Sequence, residues 1–504
     1  MNTERNLSFL LGTALLVLPV AVRAQFIFTT NSGAITITQY TGSGGDVTIP
    51  DTVFGLPVKA VGSAAFYQVS GLTSVTFGTN VTTIANNAIF QCPNLASVTI
   101  PASVTNIGTG PMIDCKGLTA ISVSPSNSFY TNVNQVLFNK PQTSLIEFPG
   151  GVGGSYTLPA SVTNIGQAFI GNSLTAISVN PANAIYTNLA GVLFDKSKTF
   201  LISYPGGAPG GYTVPSNVTT IVSAAFEYST GVTNVTIGTN VSSIGLFAFY
   251  DCPNLAAMSV NPTNSFYSST NGVLFDKNKT TLIQYPIAIS GSYLVPGTVV
   301  NIGDGAFGDA SGLTSIVTPN SVTNIAQQAF YGCLNLSGVA LGNSVQSIGP
   351  NAFFLCSSLT DLVFPASLTS LGQYACGGCQ RLSGVCFEGN QPTNGGSVFY
   401  FDTALSTICY MNGTTGWDTN YDGIPTAPCS TCGGGLPQLT ILPSGSNVVL
   451  TWPAGFTGFT LQSIPNLFAQ AVWTTVSPAP VIINENFVVT NSISVPTKFY
   501  RLSN

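Results

Sequence analysis

The hydrophobic residues of this chain recur with a period of 23 residues over most of its length. In the clearest copy, Pro319 to Leu341, the order is S-V-T-N-I, then A-F-x-x-C, then L-x-x-V-x-L. Alternating inward positions in L-x-x-V-x-I indicate a short strand, and S-V-T-x-I indicates a second one. The A-F-x-x-C stretch between them predicts one or two helical turns. One recurring apolar column comprises Val61, Ile84, Ile107, Ile165, Ile221, Ile244, Ile302, Ile325, Ile348 and Leu371.

A period this strict predicts a solenoid, in which each unit stacks on the next and buries its columns against its neighbours. The expected fold class is mainly β: 23-residue rungs with a parallel sheet and short helical turns, hairpin insertions, and a C-terminal β-sandwich. The β-sandwich is predicted because the 23-residue period is lost in the C-terminal region, where six or seven short segments with strand patterns follow one another. The expected boundaries are a signal peptide (1–24), an N-terminal β cap (25–45), the solenoid (46–410) with hairpins near 124–154, 180–210 and 261–290, a linker (411–435), and the sandwich (436–504).

The motif P-x-S-V-T-x-I-G-x-x-A-F-x-x-C-x-x-L-x-x-V-x-I, repeated from about residue 46 to 410, resembles the BspA-like leucine-rich repeats. The resemblance implies a right-handed leucine-rich-repeat solenoid on secreted or cell-surface proteins of bacteria and some protists, associated with adhesion and protein binding. The tail, through its LTW, GFTLQS, WTTV and FYRL stretches, resembles immunoglobulin- or fibronectin-III-like modules at the C-termini of secreted bacterial proteins.

The charge pattern narrows the possible partners. Only 6% of the residues are charged, the formal net charge is −5, and no basic cluster occurs, which argues against binding to nucleic acid. The apolar run from Leu7 to Val20, followed by Val22-Arg23-Ala24, predicts signal cleavage before Gln25. A membrane anchor is the alternative, but the run is short for a span. We expect a secreted or cell-surface monomer without membrane insertion after cleavage.

Catalytic chemistry has few candidate residues in this sequence. The chain contains no histidine, which excludes Ser-His-Asp and Cys-His nucleophiles and histidine-based zinc sites. Its acidic residues are scattered at turns, and no glycine-rich phosphate loop precedes a helix. We therefore expect no catalytic residue, no cofactor and no enzyme activity. A carbohydrate-active or other secreted enzyme, and a purely structural spacer, remain the alternatives.

The cysteines fall into two groups. Most occupy one column of the repeat, where valine and alanine also occur, and this pattern predicts small buried side chains rather than ligands. Cys386 and Cys409 differ, because they are 23 residues apart at outward positions, where a disulfide would join the last two rungs. Cys429 and Cys432 could form a local disulfide in the linker. The buried column comprises Cys92, Cys115, Cys252, Cys333, Cys356 and Cys379.

One short motif is a candidate cation site. Asp418-Thr-Asn420-Tyr-Asp422-Gly423 matches the first half of a calcium loop, in which alternating oxygens converge and glycine makes the turn. The twelfth position is Cys429 instead of glutamate, and an ordinary turn explains the motif equally simply. We favour no metal site, with Asp418, Asn420 and Asp422 as a weak calcium candidate.

The outward positions of the L-x-x-V-x-I strands are where binding remains possible. They change along the chain from hydroxyl-bearing to apolar residues, and the apolar end at Val317, Ala340 and Val363 predicts a contact patch. We therefore expect a non-catalytic repeat protein that binds an unknown protein or glycan. The outward column reads Thr76, Thr99, Ser122, Ser178, Thr236, Ser259, Val317, Ala340, Val363 and Cys386.

Overall fold

The computed structural model describes residues 25–430, 432, 439–444, 447–453, 460–464, 474–483, 486–492 and 498–503. The predicted signal peptide, residues 1–24, lies outside them. The chain divides into two compact units, Met1–Leu174 with Val179–Tyr186, and Thr175–Ser178 with Thr187–Asn504. Within the described residues, no helix is long and apolar enough to cross a membrane.

In the first unit, the L-x-x-V-x-I stretches pair in parallel as one sheet, called here the front sheet. The S-V-T-x-I stretches form a second sheet, called the back sheet, which begins with the hairpin expected at residues 25–45. The second strand of this hairpin pairs in parallel with the next back-sheet strand, so the hairpin supplies backbone partners to the first rung. The front-sheet strands are Gly45–Thr48, Leu72–Thr76, Ser97–Ile100 and Ala120–Val123. The back-sheet strands are Phe26–Asn31, Ala34–Tyr40, Leu56–Val61, Thr83–Ile84 and Asn106–Ile107, with Thr52–Val53 beside Leu56–Val61.

The first insertion folds as a three-stranded antiparallel sheet, Tyr130–Val133, Val136–Asn139 and Leu145–Glu147. Its strands contain the alternating apolar residues from which a hairpin was expected. The remaining strands that begin in this part of the chain are Phe66–Tyr67, Ile89–Phe90, Gly153–Leu158, Ser173–Val179 and Tyr186–Leu189.

The second unit has the same two sheets, and strands from its insertions join the back sheet. The third strand of each later insertion, Phe200–Ser203 or Thr281–Gln284, pairs in parallel with the next back-sheet strand. The other insertion strands are Val192–Asp195, Tyr267–Thr270 and Val273–Asp276. The front-sheet strands are Gly210–Thr213, Val232–Ile237, Ala257–Val260, Gly291–Leu294, Leu313–Val317, Gly338–Ala340, Asp361–Phe364, Gly384–Phe387 and Ile408–Met411. The other back-sheet strands are Thr220–Ile221, Ser243–Ile244, Asn301–Ile302, Asn324–Ile325, Ser347–Ile348, Ser370–Leu371 and Thr393–Asn394.

The A-F-x-x-C stretches form turns, so the helical turns expected from the sequence are not confirmed. In the rung of Phe330, Gln328 and Gly332 have φ angles of 54° and 68°, a left-handed conformation that interrupts a right-handed helix. The N–H of Phe330 donates to the carbonyl of Ala352 in the next rung at 2.7 Å. Backbone donors that a helix would use internally are therefore shared between rungs, and the described residues contain no helix.

The core of each unit consists of columns of identical residue types. In the second unit, the Phe330 ring lies 4.8 Å from the Phe307 ring and 5.0 Å from the Phe353 ring, and all three side chains are buried. Full burial of such a side chain stabilises the fold by about 1.5–3 kcal/mol. The periodic stacking is therefore a large part of what holds neighbouring rungs together.

Each insertion is anchored by one buried asparagine. Asn264 donates its amide hydrogens to the carbonyls of Gly238 and Val241 at 2.7 and 2.9 Å. Its carbonyl accepts from the N–H groups of Phe266 and Tyr267, each at 2.8 Å. The same four-bond pattern occurs at Asn127 and Asn183 in the first unit. An amide that uses all its donors and both acceptor sites fixes where each insertion leaves the solenoid.

A linker was expected at residues 411–435, but its described part, residues 411–430 and 432, contains strands and is better described as the end cap of the second unit. The strand Ile424–Cys429 pairs in parallel with Ile408–Met411. The short strand Asn420–Tyr421 pairs antiparallel with Ile424–Cys429. Trp417 and Tyr421 place their rings 4.9 and 5.7 Å from the Phe387 ring. The last rung would otherwise expose apolar side chains and unpaired strand edges, and this segment covers them.

The tail forms two antiparallel sheets. They share a small buried cluster that includes Leu450, Trp452 and Leu461. The four-stranded sheet contains Thr440–Ser444, Asn447–Pro453, Asn486–Ser492 and Val481–Ile483, in that order. The three-stranded sheet contains Thr474–Thr475, Thr460–Ile464 and Phe499–Ser503, in that order.

Candidate binding face

The front sheet of the first unit presents a polar outer face. Val75, Val98 and Ile121 point inward and are buried, while the next residues along each strand point outward. Parallel pairing places these outward residues in one register, so hydroxyl groups recur on successive strands. A flat, uncharged surface of β-compatible hydroxyls results. The exposed members are Thr48, Thr76, Thr99 and Ser122.

In the second unit, the same outward column begins with hydroxyl groups. Thr213, Thr236 and Ser259 are in register on three adjacent strands, and the Thr236 and Ser259 hydroxyl oxygens are 2.8 Å apart. Thr213 and Ser259 are exposed, and Thr236 is half-buried. These three strands are called here the open part of the front sheet.

The third insertion separates the open part from a different stretch of the same face. Here the outward residues in register are Leu294, Val317 and Ala340. Val317 is only 7% exposed, although Leu294 retains 46% exposure. The three strands carrying these residues are called here the covered part. The sequence predicted a free contact patch at Val317, Ala340 and Val363.

The chain itself lies over the covered part. Residues 439–441, at the start of the tail, face Ser315, Ile316 and Ala340 across a shallow cavity. The strand Thr440–Ser444 contacts the strand Gly291–Leu294. Apolar outward residues therefore occur where the tail returns to the sheet. The signal for this contact in the sequence was the change from hydroxyl to apolar residues, but the sequence did not identify the covering segment.

Two disulfides lie at the end of the same face, and their pairing differs from the expected one. Cys386 is bonded to Cys432, and Cys409 to Cys429. Cys386 and Cys409 are neighbours in register, as expected, but the added strand Ile424–Cys429 brings two more sulfurs to the same place. Sequence spacing could not show this strand, so Cys386–Cys409 and Cys429–Cys432 were the simpler pairs.

The cysteines of the buried column have a structural role. The thiol of Cys333 donates to the carbonyl of Phe307 at 3.1 Å, and Cys356 and Cys379 donate to Phe330 and Phe353 at 3.2 and 3.1 Å. Burial raises the pKa of Cys333 and of Cys356 above the ordinary thiol range. Cys333 and Cys356 are therefore neutral donors that join adjacent rungs.

The calcium candidate forms a tight turn against the last rung. Asp422 and Gly423 have φ angles of 58° and 83° at the corner of the hairpin that joins Asn420–Tyr421 to Ile424–Cys429, as a two-residue turn requires. The Asp422 carboxylate accepts the N–H of Phe399 at 2.9 Å and the side-chain amide of Asn394 at 3.4 Å. The side chains of Asp418 and Asn420 are exposed. A role for the three residues in calcium binding stays a prediction.

Asp402 is a buried acid that keeps the register of the last, degenerate repeat and was not among the candidate site residues. It stands 23 residues after Cys379, in the cysteine column, and its Oδ1 accepts the N–H of Cys379 at 2.6 Å. Burial raises the pKa of its carboxyl from the ordinary 3.8 to about 8, and the nearby Asp422 adds to the rise. Oδ2 has no hydrogen-bond partner. The sequence did contain a signal for this burial, because Asp402 stands in the repeat column that cysteine occupies in the preceding rungs.

Comparison with known proteins gives one family and several solved structures. Residues 41–189, 211–293 and 290–406 match the profile of the BspA-type leucine-rich repeat region, in six copies. No curated protein matches the chain.

The solved structures that match this chain include those of three bacterial proteins. A leucine-rich cell surface protein of Faecalibacterium prausnitzii is 25% identical, with a TM-score of 0.41, and the match covers 77% of this chain and 94% of that one. The pneumococcal vaccine antigen PcpA is 18% identical, with a TM-score of 0.29 and coverage of 77% and 92%. A Bacteroides ovatus protein is 18% identical, with a TM-score of 0.29 and coverage of 81% and 98%. At these TM-scores the likenesses carry no argument about function.

Proposed function

Because this chain belongs to the BspA-type leucine-rich repeat family, we propose that it is a secreted or cell-surface protein that binds a protein or glycan without catalysis. The observation that carries this proposal is the register of exposed hydroxyl groups on the front sheet. A broad, flat, uncharged face can accept a ligand through many neutral hydrogen bonds, whereas a small substrate needs a concave site.

The surroundings of the titratable groups support a non-catalytic role. Burial raises the pKa values of three acids, Asp114, Glu147 and Asp402. Glu147 and Asp402 accept the backbone N–H groups of Met112 and Cys379. Asp114 is paired with Lys116 at 3.0 Å. Each of these acids is thus buried with a hydrogen bond or an ion pair to a neighbouring group, which gives it a structural explanation.

The tail is proposed to be an immunoglobulin- or fibronectin-III-like β-sandwich. Its four-stranded and three-stranded antiparallel sheets, with Trp452 and Leu450 buried in a common cluster, support this proposal. Such a module would present its first strand to the covered part of the front sheet and leave the open part available to a partner.

The proposed function is tested by binding assays with glycan arrays and with cell-envelope and host-surface protein preparations. Thr236→Arg places a large charged side chain on the open part, and Thr99→Arg does the same in the first unit. Thr105→Arg is the matched control, since Thr105 is an exposed threonine beside the back-sheet strand Asn106–Ile107. We expect at least one front-sheet variant to weaken binding about tenfold or more, equivalent to about 1.4 kcal/mol. Binding that the control weakens equally, or that is never observed, would contradict the proposal.

A further inference from the structure

The four cysteines at the end of the front sheet come from three chain segments that fold to one place. Cys386 and Cys409 are outward residues of adjacent parallel strands and are paired in register. Cys429 ends the next strand, where it is paired with Met411, and Cys432 follows three residues later. The fold therefore brings together sulfurs that are up to 46 residues apart along the chain.

The sulfur atoms are close across the two disulfides as well as within them. The Sγ atoms of Cys386 and Cys429, which belong to different disulfides, are 3.6 Å apart. The sulfurs of Cys386, Cys429 and Cys432 all lie within 4.8 Å of one another, and Cys409 is bonded to Cys429. In a tetrahedral zinc thiolate, bonds of about 2.3 Å separate the sulfurs by about 3.8 Å. Three of the sulfurs are therefore already near that spacing, and the fourth, of Cys409, is held beside them by its bond to Cys429.

This cluster differs from the buried cysteine column in the ways that matter for metal binding. The column thiols are buried, and several donate to backbone carbonyls one rung away. In the cluster, Cys409, Cys429 and Cys432 are only half-buried, so an ion could reach them from solvent. The C-x-x-C spacing of Cys429 and Cys432 also lets one short segment supply two ligands, as in structural zinc sites.

We propose that, when the two disulfides are reduced, Cys386, Cys409, Cys429 and Cys432 bind one zinc-class divalent ion as a tetrathiolate. Reduction by a phosphine transfers two electrons to each disulfide, while water supplies the two protons and the oxygen of the resulting phosphine oxide, and the two disulfides become four thiols. Binding then releases the four thiol protons while the metal keeps its oxidation state. The ion would join the same segments that the disulfides join, so one set of side chains secures the end of the solenoid in both redox states.

The test uses the purified chain, treated anaerobically with a phosphine that is then removed, and cobalt(II) as the probe. We expect one cobalt ion per chain, with the sulfur-to-metal charge-transfer and tetrahedral ligand-field absorption of a tetrathiolate, and displacement by zinc. Cys432→Ser and Cys409→Ser are expected to abolish this stoichiometric absorption. Cys333→Ala is the matched control, because alanine already occupies the same column at Ala310, and it should retain the full signal.

A second readout does not depend on the variants. In the reduced protein, zinc should protect four thiols from an alkylating reagent, and peptide mass spectrometry should identify them as the four cluster cysteines. Thermal unfolding of each variant establishes whether a lost signal comes from an unfolded protein. The proposal is overturned if the reduced chain shows no tetrathiolate absorption, or if folded Cys432→Ser binds cobalt as the unmodified chain does.

Discussion

The open and covered parts of the front sheet share one repeat and one core, but their outer faces differ. Under both parts, the inward columns are buried to the same degree, as Val235 and Ile316 show. On the outside, Thr236 stands in the open part where Val317 stands in the covered part. The inner face is therefore set by contact between neighbouring rungs. The outer face is set by what lies over it, which is the first residues of the tail in one case.

The comparison bears on the proposed binding function. Because the tail faces the apolar part, the hydroxyl-rich part is the one proposed to bind a partner. The third insertion marks the boundary, since it enters the chain between Ala257–Val260 and Gly291–Leu294. Four predictions test whether the two parts share a core and differ only in their outer contacts.

The largest expected change in stability comes from removing a buried side chain of the core that the two parts share. Phe226→Ala and Phe330→Ala each remove a buried ring from a stacked column, one in the rung of each part. Each should lower the free energy of unfolding by about 3–5 kcal/mol, measured by urea denaturation. Similar losses in the two parts are the expected result. A loss below about 1 kcal/mol at either position would show that the two cores are not equivalent.

The next effect concerns the connection between the sheet and the tail in the oxidised protein. Cys432→Ser removes the disulfide that holds the segment before the tail to Cys386. We expect stability to fall by about 2–4 kcal/mol and the covered part to become more accessible. Hydrogen exchange of Leu313–Val317 should then increase, while Val232–Ile237 in the open part stays unchanged. Equal changes in both strands would argue against a local cover.

The third prediction contrasts the two outer faces directly. Val317→Asp places a charge at a nearly buried position without a partner and should cost about 2–3 kcal/mol. Thr236→Asp changes a half-buried position of the open part and should cost less than about 1 kcal/mol. Thermal unfolding of both variants measures the difference. A similar cost at both positions would mean that Val317 is not buried in solution.

The last prediction depends on pH and belongs to the last rungs, where Asp402 replaces a column cysteine. Because burial raises the pKa of Asp402 from 3.8 to about 8, the folded protein holds a proton that the unfolded chain releases. The contribution of this group to stability is thus lost as pH rises from about 4 to 8. Asp402→Asn should flatten the change in unfolding free energy across that window and stabilise the protein above it. An unchanged pH profile would contradict the buried, protonated carboxyl.

The sequence determined the repeat and its inward side. A residue such as Ile325 or Phe330 packs against its equivalents 23 residues away, so the period carries the information that stacking needs. The insertions were also visible, because their alternating strands interrupt that period. The sequence did not show the conformation of the A-F-x-x-C stretch. Residues with left-handed φ angles, and backbone N–H groups that donate to the next rung, override its local helical pattern.

Only the tertiary structure decided which outward residues of the front sheet remain exposed to solvent. The pairing of Cys386 with Cys432 depends on an added strand that lies outside the repeat. The segment that faces Ile316 and Ala340, residues 439–441, is more than 95 positions away along the chain. Contacts of this kind have no period, because they join a repeating surface to a segment that occurs once. The sequence could mark such a surface by its change from threonine to valine, and the fold then supplied its partner.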